Sequence, residues 1–163
     1  MADTVKLILA VDEIVARSLA KWPDVPAVFG WLSLDRRGNW LIKGERIGNT
    51  ALREFIGRNY EADPQGRWYF QNGPQRVYVA LAYTPLVVHY EGERLVDHCG
   101  RAFSATQGFQ DDEGSVLFAG RPSVALLDDR DLAKFADEDR ALPAIARAEV
   151  PARFSFVADP KPG

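Results

Sequence analysis

The sequence predicts an α+β domain: a mostly antiparallel sheet of hairpin repeats with helices packed on one face. Three observations point there. A turn signature, Asp-x-x-Gly followed two residues later by an apolar side chain, recurs at Asp35-Arg36-Arg37-Gly38, Asp63-Pro64-Gln65-Gly66 and Asp111-Asp112-Glu113-Gly114. Polar turns of this kind between apolar arms read as hairpins. Residues 76–83, Arg-Val-Tyr-Val-Ala-Leu-Ala-Tyr, alternate large and small or amphipathic side chains at the period of a strand with two different faces. Residues 4–22 carry an apolar stripe, Ile8, Val11, Val15, Leu19 and Trp22, at the spacing of one helix face.

Taken in order, the first helix spans about 4–21, capped by Asp3 or Thr4 and stopped by Pro23 and Pro26. The hairpin of 30–47 follows. A short helix over 50–59 starts at Asn49 or Thr50 and offers Leu52, Phe55 and Ile56 to a core. Asn72-Gly73-Pro74, Thr84-Pro85 and Glu91-Gly92-Glu93 punctuate a meander from Arg67 to His98. Residues 99–114 read as loop with one short strand, before a third hairpin over 116–127. Asp128 or Asp129 caps a helix over about 129–137, with acidic side chains in the first turn where the helix dipole favours them. A single domain over 1–149 is expected, followed by a closing strand at Phe154-Ser155-Phe156-Val157 and a loose tail within 150–163. Six to eight strands result. Tyr78, Ala80 and Ala82 lie opposite Val77, Val79, Leu81 and Tyr83, so a face left open by the helices would suit a homodimer.

The chain has 163 residues, 47% hydrophobic and 26% charged, enough for one core without disulfide or metal staples. The lone Cys99 excludes an intrachain disulfide and suits a reducing compartment. Met1-Ala2-Asp3-Thr4 starts acidic, unlike a secretory leader, and no apolar run approaches the ~20 residues of a membrane span. A cytoplasmic, membrane-free protein is expected. Residues 26–90 hold eight basic and five acidic residues, too small an excess to mark a polyanion partner.

The runs VPAVFGWLSLDRRGNWLIKGERIGN, GRWYFQNGPQRVYVALAYTPLVVH and LLDDRDLAKF resemble a proteobacterial family of small cytoplasmic proteins known only as a domain of unknown function. The likeness spans about residues 22–136, and FQNGPQRVYV is its most specific piece. It implies a bacterial, cytoplasmic, single-domain protein and carries over no catalytic residue.

Motifs for chemistry are sparse. His89, Asp97, His98 and Cys99 include the residue types of a zinc site or a Cys–His nucleophile. Consecutive residues of a strand point to opposite faces, so His98 and Cys99 would not converge; His89 and His98 are the metal candidates, if any. No phosphate-loop, dinucleotide or nucleophile-elbow fingerprint occurs. Asp111, Asp112 and Glu113 read as a solvated turn.

Eleven of the eighteen aromatics lie in residues 26–90 beside several arginines. Aromatic rings flanked by guanidinium groups can stack a base or hold a sugar or peptide. The binding candidates are Arg36, Arg37, Trp40, Arg67, Trp68, Arg76 and Tyr78. No ribonucleoprotein-type run accompanies them, so nucleic acid is not the expected partner. The leading expectation is a non-catalytic binding or regulatory module, without cofactor, that uses a sheet face or hairpin loops to hold a small molecule or a protein. One alternative is a small enzyme or metal-binding protein with its site near His89 and His98. Another is an assembly factor acting only through protein contacts.

Overall fold

The computed structural model describes residues 22–136 and 141–162, together with Arg17 and Ala20. The predicted first helix at 4–21 lies almost wholly outside these residues. Strands β1 (Ala27–Leu34), β2 (Trp40–Ile42), β3 (Glu45–Arg46), β4 (Tyr60–Ala62), β5 (Trp68–Asn72) and β6 (Gln75–Leu81) form one sheet in the order β3-β2-β1-β6-β5-β4. Helix α1 (Thr50–Arg58) links β3 to β4. The Asn49 side chain accepts from the Leu52 N–H at 2.9 Å and so caps α1, while Leu52 and Ile56 enter the core.

The second half closes on itself. Strands β7 (Leu86–Glu91), β8 (Arg94–Asp97), β9 (Ala102–Asp111), β10 (Val116–Arg121) and β11 (Ala125–Leu127) run in the order β10-β11-β7-β8-β9. A further β9–β10 pairing makes a five-stranded barrel, and β12 (Ala144–Ile145) attaches to β9. Closure removes the open edges that a flat sheet would leave.

This corrects the single hairpin-built sheet with helices on one face. Parallel pairings β1–β6, β7–β11 and β9–β12 mix with antiparallel ones. The physical reason lies in runs such as Leu86-Val87-Val88 and Ala125-Leu126-Leu127, all buried. A strand covered on both sides needs no polar alternation, whereas a half-solvated meander does. The helices divide between the two halves: Phe55 of α1 packs edge-on against Phe70 of β5, ring centroids 5.7 Å apart. Helix α2 (Leu132–Ala136), entered by a 3-10 turn at Asp129–Asp131, sets Phe135 against Phe118 of β10. One continuous core joins sheet and barrel, from Trp22, Leu32 and Phe70 to Leu86, Leu117 and Leu127.

The expected closing strand at 154–157 is also corrected. Helix α3 (Val150–Arg153) leads into a turn, and only Val157 makes a β-bridge, to Arg67. The segment is nevertheless anchored, since Val150 and Phe156 belong to the core and the Val157 N–H donates to Gly66 O at 2.9 Å.

The Asp-x-x-Gly turn occurs four times. The fourth copy, Asp97-His98-Cys99-Gly100, falls where the sequence suggested metal chemistry or loop. In each copy the first N–H donates to the carbonyl four residues on, and the glycine N–H donates back to the aspartate carbonyl. In each, Oδ1 of the aspartate also accepts from the N–H groups two and four residues later, at 2.8–3.0 Å. The glycines at 38, 66, 100 and 114 hold φ of 82°, 81°, 84° and 84°, a region costly for other residues. One carboxylate thus satisfies the orphan donors of a tight hairpin tip, which explains why the motif needs Asp at its first position.

Candidate binding cleft at the junction of sheet and barrel

Two of these turns, 35–39 from the sheet and 97–101 from the barrel, meet beside α1. Glycine makes the contact possible. A Cβ on Gly38 would lie 2.6 Å from the His98 Cβ, and one on Gly57 would lie 3.4 Å from the Cys99 Cα and Cβ. The Arg101 guanidinium donates to Gly57 O at 2.9 Å and ties the barrel turn to α1. Between them opens a cleft of about 470 Å³, lined by Gly38, Trp40, Thr50, Arg53, Glu54, Gly57, Arg58, His98, Cys99 and Gly100. Residues 50, 53, 54, 57 and 58 recur at i, i+3, i+4, i+7 and i+8, so one polar stripe of α1 supplies a whole wall.

His98 sits between the rings of Trp40 and Tyr60, at 5.1 and 5.5 Å. Its Nδ1 accepts the Val87 N–H at 3.2 Å, which places the proton of the neutral ring on Nε2. That Nε2 is buried and has no partner among the described residues, although the residue as a whole keeps some exposed surface. Burial, aided by the Arg101 charge, lowers the His98 pKa to about 3, so the imidazole is neutral at physiological pH. The Cys99 thiol is pushed up to about 12 by burial and by the Asp97 carboxylate. A protonated thiol is a poor nucleophile and a poor metal ligand.

Arg53 is one of three charged residues of the lining, with Glu54 and Arg58. One terminal nitrogen donates to Thr50 Oγ1 at 3.1 Å, whereas Nε is buried without a partner among the described residues.

A second cleft of about 450 Å³ lies beyond the Gly38–His98 contact, lined among others by Arg37, His89, His98, Asp128, Arg130 and Asp131. Its charges are matched. Arg37 makes a forked pair with Asp129 at 2.9 and 3.1 Å, Arg130 holds the buried Asp128 at 2.6 Å, and the Tyr90 N–H donates to Asp131. Burial alone would raise the Asp128 pKa, but the Arg130 guanidinium and N–H outweigh it and hold the carboxyl below its usual range. His89 lies half-buried on β7 with Nε2 3.2 Å from Glu91. Both imidazoles line this cleft, yet among the described residues no group of three or more His, Cys, Asp or Glu is placed to hold a metal ion.

The remaining candidates separate. Trp40 and Trp68 are core residues, 2% and 3% exposed, and of the two only Trp40 is among the residues that line the cleft. Arg36 donates to Ser115 Oγ at 2.7 Å and covers one ring, that of Tyr83, at 5.0 Å. Arg67, Arg76 and Tyr78 do come together on the outer face of the first sheet. Arg67 covers the Tyr78 ring at 4.7 Å and Arg76 the Tyr69 ring at 4.4 Å, while Phe29 stacks on Tyr78 at 4.6 Å. These rings are already covered: Tyr69 and Tyr78 are 4% and 5% exposed, which leaves no free platform for a base. Sequence reasoning missed Thr50, Arg53 and Gly57 as cleft residues and named Cys99 only within the cluster of metal or nucleophile character. The signals present were the polar i, i+3, i+4, i+7 stripe of α1 and the fourth Asp-x-x-Gly.

Residues 11–161 match the family described as "Protein of unknown function (DUF2946)". The chain belongs to this family. That description assigns no activity, as the resemblance in the sequence implied. No curated protein matches the chain. Its fold is similar to that of a DUF1285 family protein from Silicibacter pomeroyi DSS-3, with TM-score 0.54 and 16% identity over 76% of this chain and 82% of the other. It is also similar to a DUF1285 family protein from Shewanella baltica OS155, with TM-score 0.51 and 14% identity over 67% and 92%. At these identities the likeness is one of fold. Among the described residues no helix is long and apolar enough to cross a membrane.

Proposed function

We propose that this DUF2946 protein is a non-catalytic binding module that holds a small molecule in the cleft between α1 and the turns at 35–39 and 97–101. The observation that carries the reading is Arg53: a half-buried guanidinium lines an open cleft with its Nε unpaired. Burying an unpaired donor costs about 1–3 kcal/mol, a cost that a bound acceptor relieves. The neutral His98 and the protonated Cys99 support binding over catalysis, since neither offers a base or nucleophile near pH 7. The sole thiol suits a reducing, cytoplasmic setting, and the resemblance to a proteobacterial family suits a bacterium. A thermal-shift screen of small metabolites tests the proposal, comparing wild type with the cleft-filling variant Thr50→Trp, a change at an exposed position. Ligands that raise the Tm of wild type but not of the variant support it. Stabilisation that survives in Thr50→Trp contradicts it, as does a screen without any stabiliser.

A further inference from the structure

Resting on that reading, we infer that the ligand is a small organic oxyanion, a carboxylate or a phosphate monoester, whose oxygens accept from Arg53 and His98. Three buried side-chain polar atoms lack a partner among the described residues: Trp31 Nε1, Arg53 Nε and His98 Nε2. Two of the three residues line this one cleft. Native proteins leave few such groups, and each one asks for an explanation.

Both cleft groups are donors. The guanidinium can only donate, and His98 is restricted to donating through Nε2 because Val87 occupies Nδ1. A ligand that satisfies both must therefore bring acceptors, and a charged one for Arg53, since hydrogen bonds between ionised partners are about twice as strong as neutral ones. The charge of the lining agrees, with Arg53 and Arg58 against Glu54 alone. Several arginines nearby are matched by acids, Arg37 by Asp129, Arg130 by Asp128, and Arg36 and Arg147 by Glu113, while Arg101 is held by Gly57 O. Among the described residues Arg53 has only the Thr50 hydroxyl. A volume of about 470 Å³ suits a small molecule. Both N–H groups are buried, so binding requires the Arg53 side chain to turn, which brings its Nε edge to the opening and uncovers the His98 Nε2.

Nitrogen-15 NMR of the intact chain tests this, with benzoate, methyl phosphate and the neutral benzamide as probes. The expected result is a saturable shift of the Arg53 Nε–H and of the amides of residues 97–100 with an anionic probe, and none with benzamide. Arg53→Gln should weaken binding at least about tenfold, and Arg53→Lys should restore part of it. Response to benzoate alone assigns a carboxylate, and response to methyl phosphate alone assigns a phosphate ester. Equal binding of benzamide, or unchanged affinity in Arg53→Gln, overturns the oxyanion assignment and leaves the cleft a binding site. Absence of any shift also overturns it, and the broader reading falls with it only if the screen has no Thr50→Trp-sensitive ligand either. The selectivity of wild type between charged and neutral probes decides the matter even if a variant fails to fold.

Discussion

Gly38 and His98 lie in direct contact, so close that a Cβ on Gly38 would stand 2.6 Å from the His98 Cβ. This contact joins a hairpin tip of the sheet to a hairpin tip of the barrel and separates two clefts. Gly38 also holds φ at 82°, as Gly100 holds 84°. A Cβ on Gly100 would meet nothing within 4 Å. Gly100→Ala therefore reports the backbone cost alone, about 1–2 kcal/mol, and Gly38→Ala adds about 1–3 kcal/mol of overlap. Urea denaturation should rank Gly38→Ala as clearly the more destabilising. Equal losses would mean that the two tips do not meet.

Stability should depend on pH through His98. The folded ring titrates near pH 3 against an ordinary value of 6.5. Below pH 6.5 the unfolded chain takes up a proton that the folded ring refuses, so stability is full above that pH and falls as the pH drops toward 3. One proton is worth about 1.4 kcal/mol per pH unit, so roughly 2 kcal/mol is lost between pH 6.5 and 4.5. His98→Phe, which cannot take up that proton, should show a flatter profile over this window. Parallel profiles for variant and wild type would place His98 in solvent.

The buried Tyr83 hydroxyl donates to Asp111 Oδ2 at 2.7 Å, between the guanidinium groups of Arg36 and Arg147, each 5.0 Å from its ring. Tyr83→Phe keeps the ring and both cation contacts but leaves the buried Asp111 oxygen without its donor. A loss of about 1–3 kcal/mol is expected. Arg36→Ala, at a partly exposed pair, should cost at most about 1 kcal/mol. Chemical denaturation that reversed this order would show that the exposed charges, rather than the buried hydrogen bond, join the 111–115 turn to its surroundings.

Much of the local structure was legible in the sequence. Asp35, Asp63 and Asp111 announce their turns because one carboxylate, a glycine and a fixed spacing suffice to build each tip. Asp97-x-x-Gly100 obeys the same rule, but His98 and Cys99 between them drew attention to metal chemistry instead. The alternation of Arg76–Leu81 identifies β6 and its faces. Barrel closure was not legible, because the pairing of Leu86–Val88 with Ala125–Leu127 joins segments almost forty residues apart and no local period records it. The site was least legible of all. Thr50, Arg53 and Gly57 look like the solvated side of a short helix until the barrel turn is brought against them.

Cys99 offers the most direct measurement, because it is the only cysteine of the chain and lines the cleft itself. Its modification by a small maleimide should be slow, given a thiol pushed up to about 12, and slower still when benzoate or methyl phosphate occupies the cleft. The account predicts saturable protection in wild type that disappears in Arg53→Gln. A modification rate indifferent to either anion would contradict the claim that this cleft is where the protein binds its ligand.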